Sequence, residues 1–198
     1  MKLIKICGLK RQLDIEYVNQ CKPDFVGFII NFPKSHRNLT PKQVKDLTEG
    51  LDKGITKVGV FVNQPVELVA ELLNNNVIDI AQLHGNEDNA YIEKLRQKTV
   101  KGIWQAIIVR KEEDLAQAKA SKADLVLLDA GQGSGQAFDW ALLTKLDRRF
   151  ALAGGLNLDN LEDAMKTNAV LLDVSGGVET DKYKDLDKIK KFINKVRK

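Results

Sequence analysis

The chain has 198 residues, 43% hydrophobic and 29% charged, with 31 basic and 27 acidic side chains and a net charge of +4. Such a length carries a sizeable core and predicts one domain over residues 1–198, with a soluble globular composition. No apolar run approaches the ~20 residues of a membrane span and the first residues lack the apolar core of a signal peptide, so no membrane partner and a cytoplasmic location are expected.

The elements follow in order. The run from Lys2 to Cys7 reads as a buried strand meeting a loop at Gly8. Residues 11–21 predict a helix, 24–30 a strand and 31–39 a polar loop. Thr40-Pro41 opens the next helix with a capping hydroxyl and a first-turn proline. Strands are predicted over 56–62, 78–83, 100–109, 123–129, 150–153 and 170–174, with helices over 65–76, 86–97, 111–121, 140–145 and 158–166. In the last segment Leu186, Ile189, Phe192, Ile193 and Val196 recur at helical spacing. Its lysines then form a solvated face, and no nucleic-acid partner is expected.

Strand and helix thus alternate eight times, and the strands are mostly continuously apolar, as in a parallel sheet covered on both faces. Eight units predict a closed (β/α)8 TIM barrel, in preference to an open doubly wound sheet. The usual size is about 250 residues, so the loops must be short.

Chemistry in such barrels lies at the carboxyl ends of the strands. Those positions here hold Cys7, Arg37 with His36, Asn63, His84, Asp129, Gly154-Gly155 and Ser175-Gly176-Gly177. The paired glycine loops after strands seven and eight suit a phosphate, held by backbone N–H groups that glycine lets approach closely. A small phosphorylated molecule is therefore the expected partner. Asp129 ends an apolar strand and is placed either as a general acid or as a structural cap. Arg37 can hold a carboxylate through two parallel hydrogen bonds, or lie in a solvated loop. His84 either touches a ligand or bonds within its own loop, whereas His36 reads as exposed and Cys21 as structural.

Strand parity adds a further expectation. If Cys7 points inward, so do Leu3 and Lys5. A lone cysteine at a strand end is commonly a small buried hydrophobe, but the ammonium beneath the thiol would favour thiolate and make Cys7 a usable base, with Asp173 the candidate partner of a buried Lys5. The two cysteines make no disulfide framework, and no Cys/His cluster marks a metal site.

Several segments match one family: Lys5-Ile-Cys-Gly-Leu9, Pro33-Lys-Ser-His-Arg37, Val58-Gly-Val-Phe-Val-Asn63 and Gln82-Leu-His-Gly85. Leu128-Asp-Ala130, Gly133-Ser-Gly135 with Phe138-Asp-Trp140, Ala153-Gly-Gly-Leu-Asn157 and Asp173-Val-Ser-Gly-Gly-Val-Glu179 continue the match in family order. The chain resembles the phosphoribosylanthranilate isomerases of tryptophan biosynthesis, (β/α)8 barrels that need no cofactor or metal. The resemblance implies that Cys7 is the general base at C2 of the ribose and Asp129 the general acid at the ring oxygen. It likewise implies that Arg37 holds the anthranilate carboxylate, and that the backbone around Gly133, Ser134, Gly135, Gly154, Gly155, Ser175 and Gly176 holds the phosphate.

There are departures from the family pattern. Gln136 replaces a frequent lysine, Ser35-His36 and Asn38 surround Arg37 where proline or lysine and then tyrosine are common, and Gly176 replaces a common serine. Rival readings are the related histidine-pathway isomerase, which leans on two aspartates, and a silent phosphate-binding barrel. A monomer is expected, with a homodimer as the alternative.

Overall fold

The computed structural model describes residues 1–129 and 140–198, with only the backbone of 141, 142 and 144. Eight parallel strands form the barrel: β1 (Leu3–Cys7), β2 (Phe25–Ile30), β3 (Thr56–Phe61), β4 (Ile80–Leu83), β5 (Gly102–Ile108), β6 (Leu125–Asp129), β7 (Phe150–Ala153) and β8 (Leu171–Val174). Each pairs with its sequence neighbours, and β1 closes the ring by pairing with both β2 and β8. The (β/α)8 expectation holds, and the open sheet is excluded.

Among the described residues seven α-helices lie between and after the strands: α1 (Gln12–Cys21), α2 (Pro41–Thr48), α3 (Val66–Asn74), α4 (Asn89–Arg96), α5 (Leu115–Ala120), α6 (Leu161–Lys166) and α7 (Leu186–Arg197). The predicted helix at 140–145 is a 3-10 helix, Trp140–Lys145. Helix α4 starts three residues later than predicted because Asp88 is its cap, accepting a 2.9 Å bond from the Tyr91 N–H. Thr40 caps α2 as the sequence implies, and Pro41 occupies its first turn.

Short elements in two places escaped the sequence. Asn38–Leu39 pairs with β2 inside the loop read as irregular. Beyond β8, a 3-10 turn (Gly176–Val178) leads into a hairpin, Glu179–Thr180 against Tyr183–Lys184.

Side-chain alternation builds two cores. The outward face of the strands, including Ile4, Ile6, Phe28, Phe61 and Leu152, packs under the helices. Inside the barrel, Val58, Trp104, Ala106, Leu127, Ala151 and Leu171 fill the amino-terminal half, and the Phe25 ring meets Trp104 edge-on at 5.0 Å. The apolar plug leaves the carboxyl end of the barrel to polar side chains.

Candidate active site

A cavity of about 280 Å³ opens at the carboxyl ends of the strands. Cys7, Arg37, His84, Asp129, Gly154, Gly155, Ser175 and Gly176 all line it, so one concavity gathers residues from β1, β2, β4, β6, β7 and β8. Gly133, Ser134 and Gly135, assigned to the phosphate from sequence, lie outside the described residues, as does Gln136.

Cys7 faces the barrel interior because β1 has the parity the sequence implies. Lys5, two residues before it, is wholly buried and donates to Asp173 Oδ2 at 2.9 Å and to Gln82 Oε1 at 2.8 Å. The strand register places Lys5 directly opposite Asp173. Burial works against the Lys5 ammonium, yet Asp173 and Cys7 together outweigh it and hold the lysine charged.

Cys7 does not gain the depressed pKa that the sequence reading gave it. Burial pushes the thiol up; Lys5 pulls it down, but the Asp173 carboxylate beside Lys5 pushes it up again. Burial is the largest of these effects and prevails, so the resting group is a thiol. The neighbouring backbone leaves little room: a Cβ on Gly27 would lie 2.6 Å from Cys7 Sγ, so only glycine on β2 admits this side chain.

Asp129 ends β6 and lies 3.3 Å from His84 Nε2 through Oδ2. His84 thus faces Asp129 across the site at ion-pair distance. Its turn is held from below by buried Glu87, whose carboxylate accepts the Asn63 N–H at 2.6 Å and the Gly85 N–H at 2.7 Å. Glu87 was missed from sequence, where it reads as one more acidic residue at a helix start.

The two glycine loops are adjacent, as β7 and β8 pair. Gly154 and Gly155 have φ of +81° and +70°. A Cβ at Gly177 would stand 1.9 Å from the Leu156 carbonyl oxygen, so the loops touch backbone to backbone. Ser175 Oγ donates to the Cys7 carbonyl at 2.9 Å and ties the second loop to β1.

Arg37 reaches the same cavity, but its guanidinium has a protein partner. Nε and Nη2 donate to the two Glu179 oxygens at 2.7 and 2.6 Å. Glu179 also accepts from Lys184 Nζ at 2.7 Å, and Lys184 donates to the Ser175 carbonyl at 3.0 Å. Sequence reasoning did not single out Glu179 or Lys184. His36 sits 3.8 Å from Glu179 with over a third of its side chain exposed, and Cys21 packs beside the outer core. Among the described residues no cluster of three or more His, Cys, Asp and Glu side chains could hold a metal ion. No helix among them is long and apolar enough to cross a membrane.

A closed parallel barrel with its polar cavity at the carboxyl ends of the strands is the architecture of a (β/α)8 enzyme. Residues 4–195 match the family model described as N-(5'-phosphoribosyl)anthranilate isomerase. The enzyme of that name from Thermoanaerobacter sp. (strain X514) is 43% identical over 205 residues, covering 100% of this chain and 98% of its own. A solved structure of monomers of the dimeric Thermotoga maritima enzyme superposes with a TM-score of 0.87 at 31% identity, covering 100% of this chain and 99% of that one. A phosphoribosylanthranilate isomerase in complex with reduced 1-(o-carboxyphenylamino)-1-deoxyribulose 5-phosphate gives 0.86 at 30% identity, with the same coverage. The chain belongs to the phosphoribosylanthranilate isomerase family.

Proposed function

We infer that the protein isomerises N-(5'-phosphoribosyl)anthranilate to 1-(2-carboxyphenylamino)-1-deoxyribulose 5-phosphate, a step of tryptophan biosynthesis. The observation that carries this reading is the convergence of Cys7, Asp129, Arg37 and the two glycine loops on one cavity in a chain of this family. The reaction needs an acid, a base, a phosphate cradle and a carboxylate holder, and each has a candidate there.

In this mechanism the backbone of Gly154-Gly155 and Ser175-Gly176 binds the phosphate, together with Gly133, Ser134 and Gly135. Arg37 takes the anthranilate carboxylate. Asp129, steadied by His84, protonates the furanose ring oxygen. The bond from C1 to that oxygen breaks, and the anthranilate nitrogen lone pair forms an iminium at C1. Cys7 as thiolate removes the proton from C2, and the C–H electron pair gives the enolamine. Proton transfer to C1 and loss of the hydroxyl proton at C2 leave the ketone. Lys5 and Asp173 lie below these groups and set the charge environment of Cys7.

Residues 1–198 are read as one catalytic domain acting in the cytoplasm as a monomer. The Thermotoga maritima relative is named as dimeric, and sedimentation of the purified chain separates the two states. The activity is tested by adding phosphoribosylanthranilate to the purified protein and following the loss of anthranilate fluorescence. Turnover is expected; its absence with folded protein overturns the assignment.

A further inference from the structure

Arg37 comes from the loop after β2, and Glu179 from the hairpin after β8, 142 residues away in sequence. Their contact is bidentate, and Glu179 has only 8% of its side chain exposed. The stem of the side chain also lies close against the loop following β1: at Gly8, whose φ is +82°, a Cβ would fall 2.3 Å from Arg37 Cδ. The chain thus lays Arg37 across a bare backbone and clamps one edge of its fork. A guanidinium has five N–H donors, and the clamp uses Nε and one hydrogen of Nη2. The opposite end, formed by Nη1 and the outer hydrogen of Nη2, is left to meet a second carboxylate.

Lys184 makes this clamp part of a larger unit. Its side chain is 1% exposed, and it bonds both Glu179 and the Ser175 carbonyl of the second glycine loop. The Glu179 carbonyl in turn accepts from Lys188 Nζ of α7 at 2.7 Å. Two cations share one carboxylate, so the cluster keeps one net positive charge beside the cavity. Burial pushes the Glu179 carboxyl up, but the bonds from Arg37 and Lys184 hold it at about 2, charged at any working pH.

We propose that Glu179 is a positioning residue that fixes the free end of the Arg37 fork for the carboxylate of the substrate, and so sets selectivity for carboxylate-bearing substrates. Lys184 holds Glu179 in place and links that end of the site to the phosphate loop. The inference rests on the isomerase reading above. The opposite role, a carboxylate that blocks Arg37 until substrate displaces it, makes the reverse prediction for affinity.

The test compares wild type with Glu179→Gln on phosphoribosylanthranilate and on the analogue made from aniline, which lacks the carboxylate. Positioning predicts KM raised by about tenfold or more for the carboxylate substrate, with kcat changed by less than about threefold, because a displaced fork misplaces binding rather than chemistry. KM for the aniline analogue should stay within about twofold. Equal losses on both substrates would overturn the proposal in favour of a purely structural role, and a lowered KM would overturn it in favour of blocking. If Glu179→Gln fails to fold, Glu179→Asp keeps the charge but shortens the reach, and the same carboxylate-selective rise in KM is expected. Wild type inactive on phosphoribosylanthranilate would remove the isomerase reading itself; active wild type with an unselective variant removes only this inference.

Discussion

At the scale of residues, the lower part of the site is decided by who neutralises whom. Lys5 is fully buried and would be costly there without its 2.9 Å contact to Asp173. Lys5 still pulls the thiol down and Asp173 pushes it up, but burial is the largest effect and holds the thiol protonated beyond its ordinary range. A base of this kind gains strength only as pH rises: the thiolate fraction grows with pH, and kcat/KM of the free enzyme should climb through the range from about 6 to 9. A pH–rate profile flat over that range would remove Cys7 as the titrating base. Cys7→Ser keeps the shape of the site but replaces the thiol with a far weaker acid. Turnover is expected to fall about 10²–10⁴-fold, the usual contribution of a general base, with KM little changed. Steady-state kinetics of the variant decides this, and near-normal kcat would refute the role.

At the scale of elements, the amino-terminal face of the barrel shows how alternate strands are stapled. Asp24 accepts the Ile4 N–H, Asp79 the Lys57 N–H and Asp124 the Ile103 N–H, at 2.8, 2.9 and 2.8 Å. Each aspartate precedes an even-numbered strand and satisfies the first turn of backbone in the odd-numbered strand before it. This end is far from the cavity, so its residues belong to stability. Asp79→Ala should lower unfolding free energy by about 1 kcal/mol, the net worth of one hydrogen bond, and leave kcat/KM unchanged. Thermal unfolding with a parallel activity assay checks both; loss of activity in folded protein would show that the two ends are coupled. The barrel strands were legible in the sequence because their apolar runs are continuous, and parity alone turned Lys5 inward. Gln82 also carried a readable signal, a polar residue inside an apolar strand, but nothing indicated that it would bond Lys5. The hairpin that presents Glu179 and Lys184 was hidden for a physical reason. Its strands are two residues long, too short for any period, and its turn uses Asp181 and Lys182 at φ of +51° and +65° without a glycine to mark it. Nothing in the sequence therefore set Lys184 apart from the other lysines, although it is nearly fully buried.

At the scale of the whole molecule, the modest charge of +4 is less informative than where cations stand. Lys10 bonds the His36 carbonyl at 3.3 Å, and Lys10 and Arg11 both lie 4.4 Å from the centre of the Tyr183 ring. Lys10, Arg37 and Lys182 all act on His36 and push its imidazolium towards losing its proton, after burial, which works in the same direction. A cluster of cations therefore borders the mouth on the side of Arg37, with Glu179 and Asp14 only partly offsetting it. The inferred substrate carries a phosphate and a carboxylate, so this mouth should draw it in by long-range attraction. That attraction is screened: the Debye length shortens from about 30 Å at 0.01 M salt to about 8 Å at 0.15 M. Over this range kcat/KM should fall severalfold while kcat, measured once substrate is bound, holds steady. Lys10→Ala, which leaves the pocket lining untouched, should flatten the salt dependence. A salt-independent kcat/KM in wild type would show that capture depends only on contacts inside the cavity, where the Arg37 fork and the glycine loops are shielded from added ions.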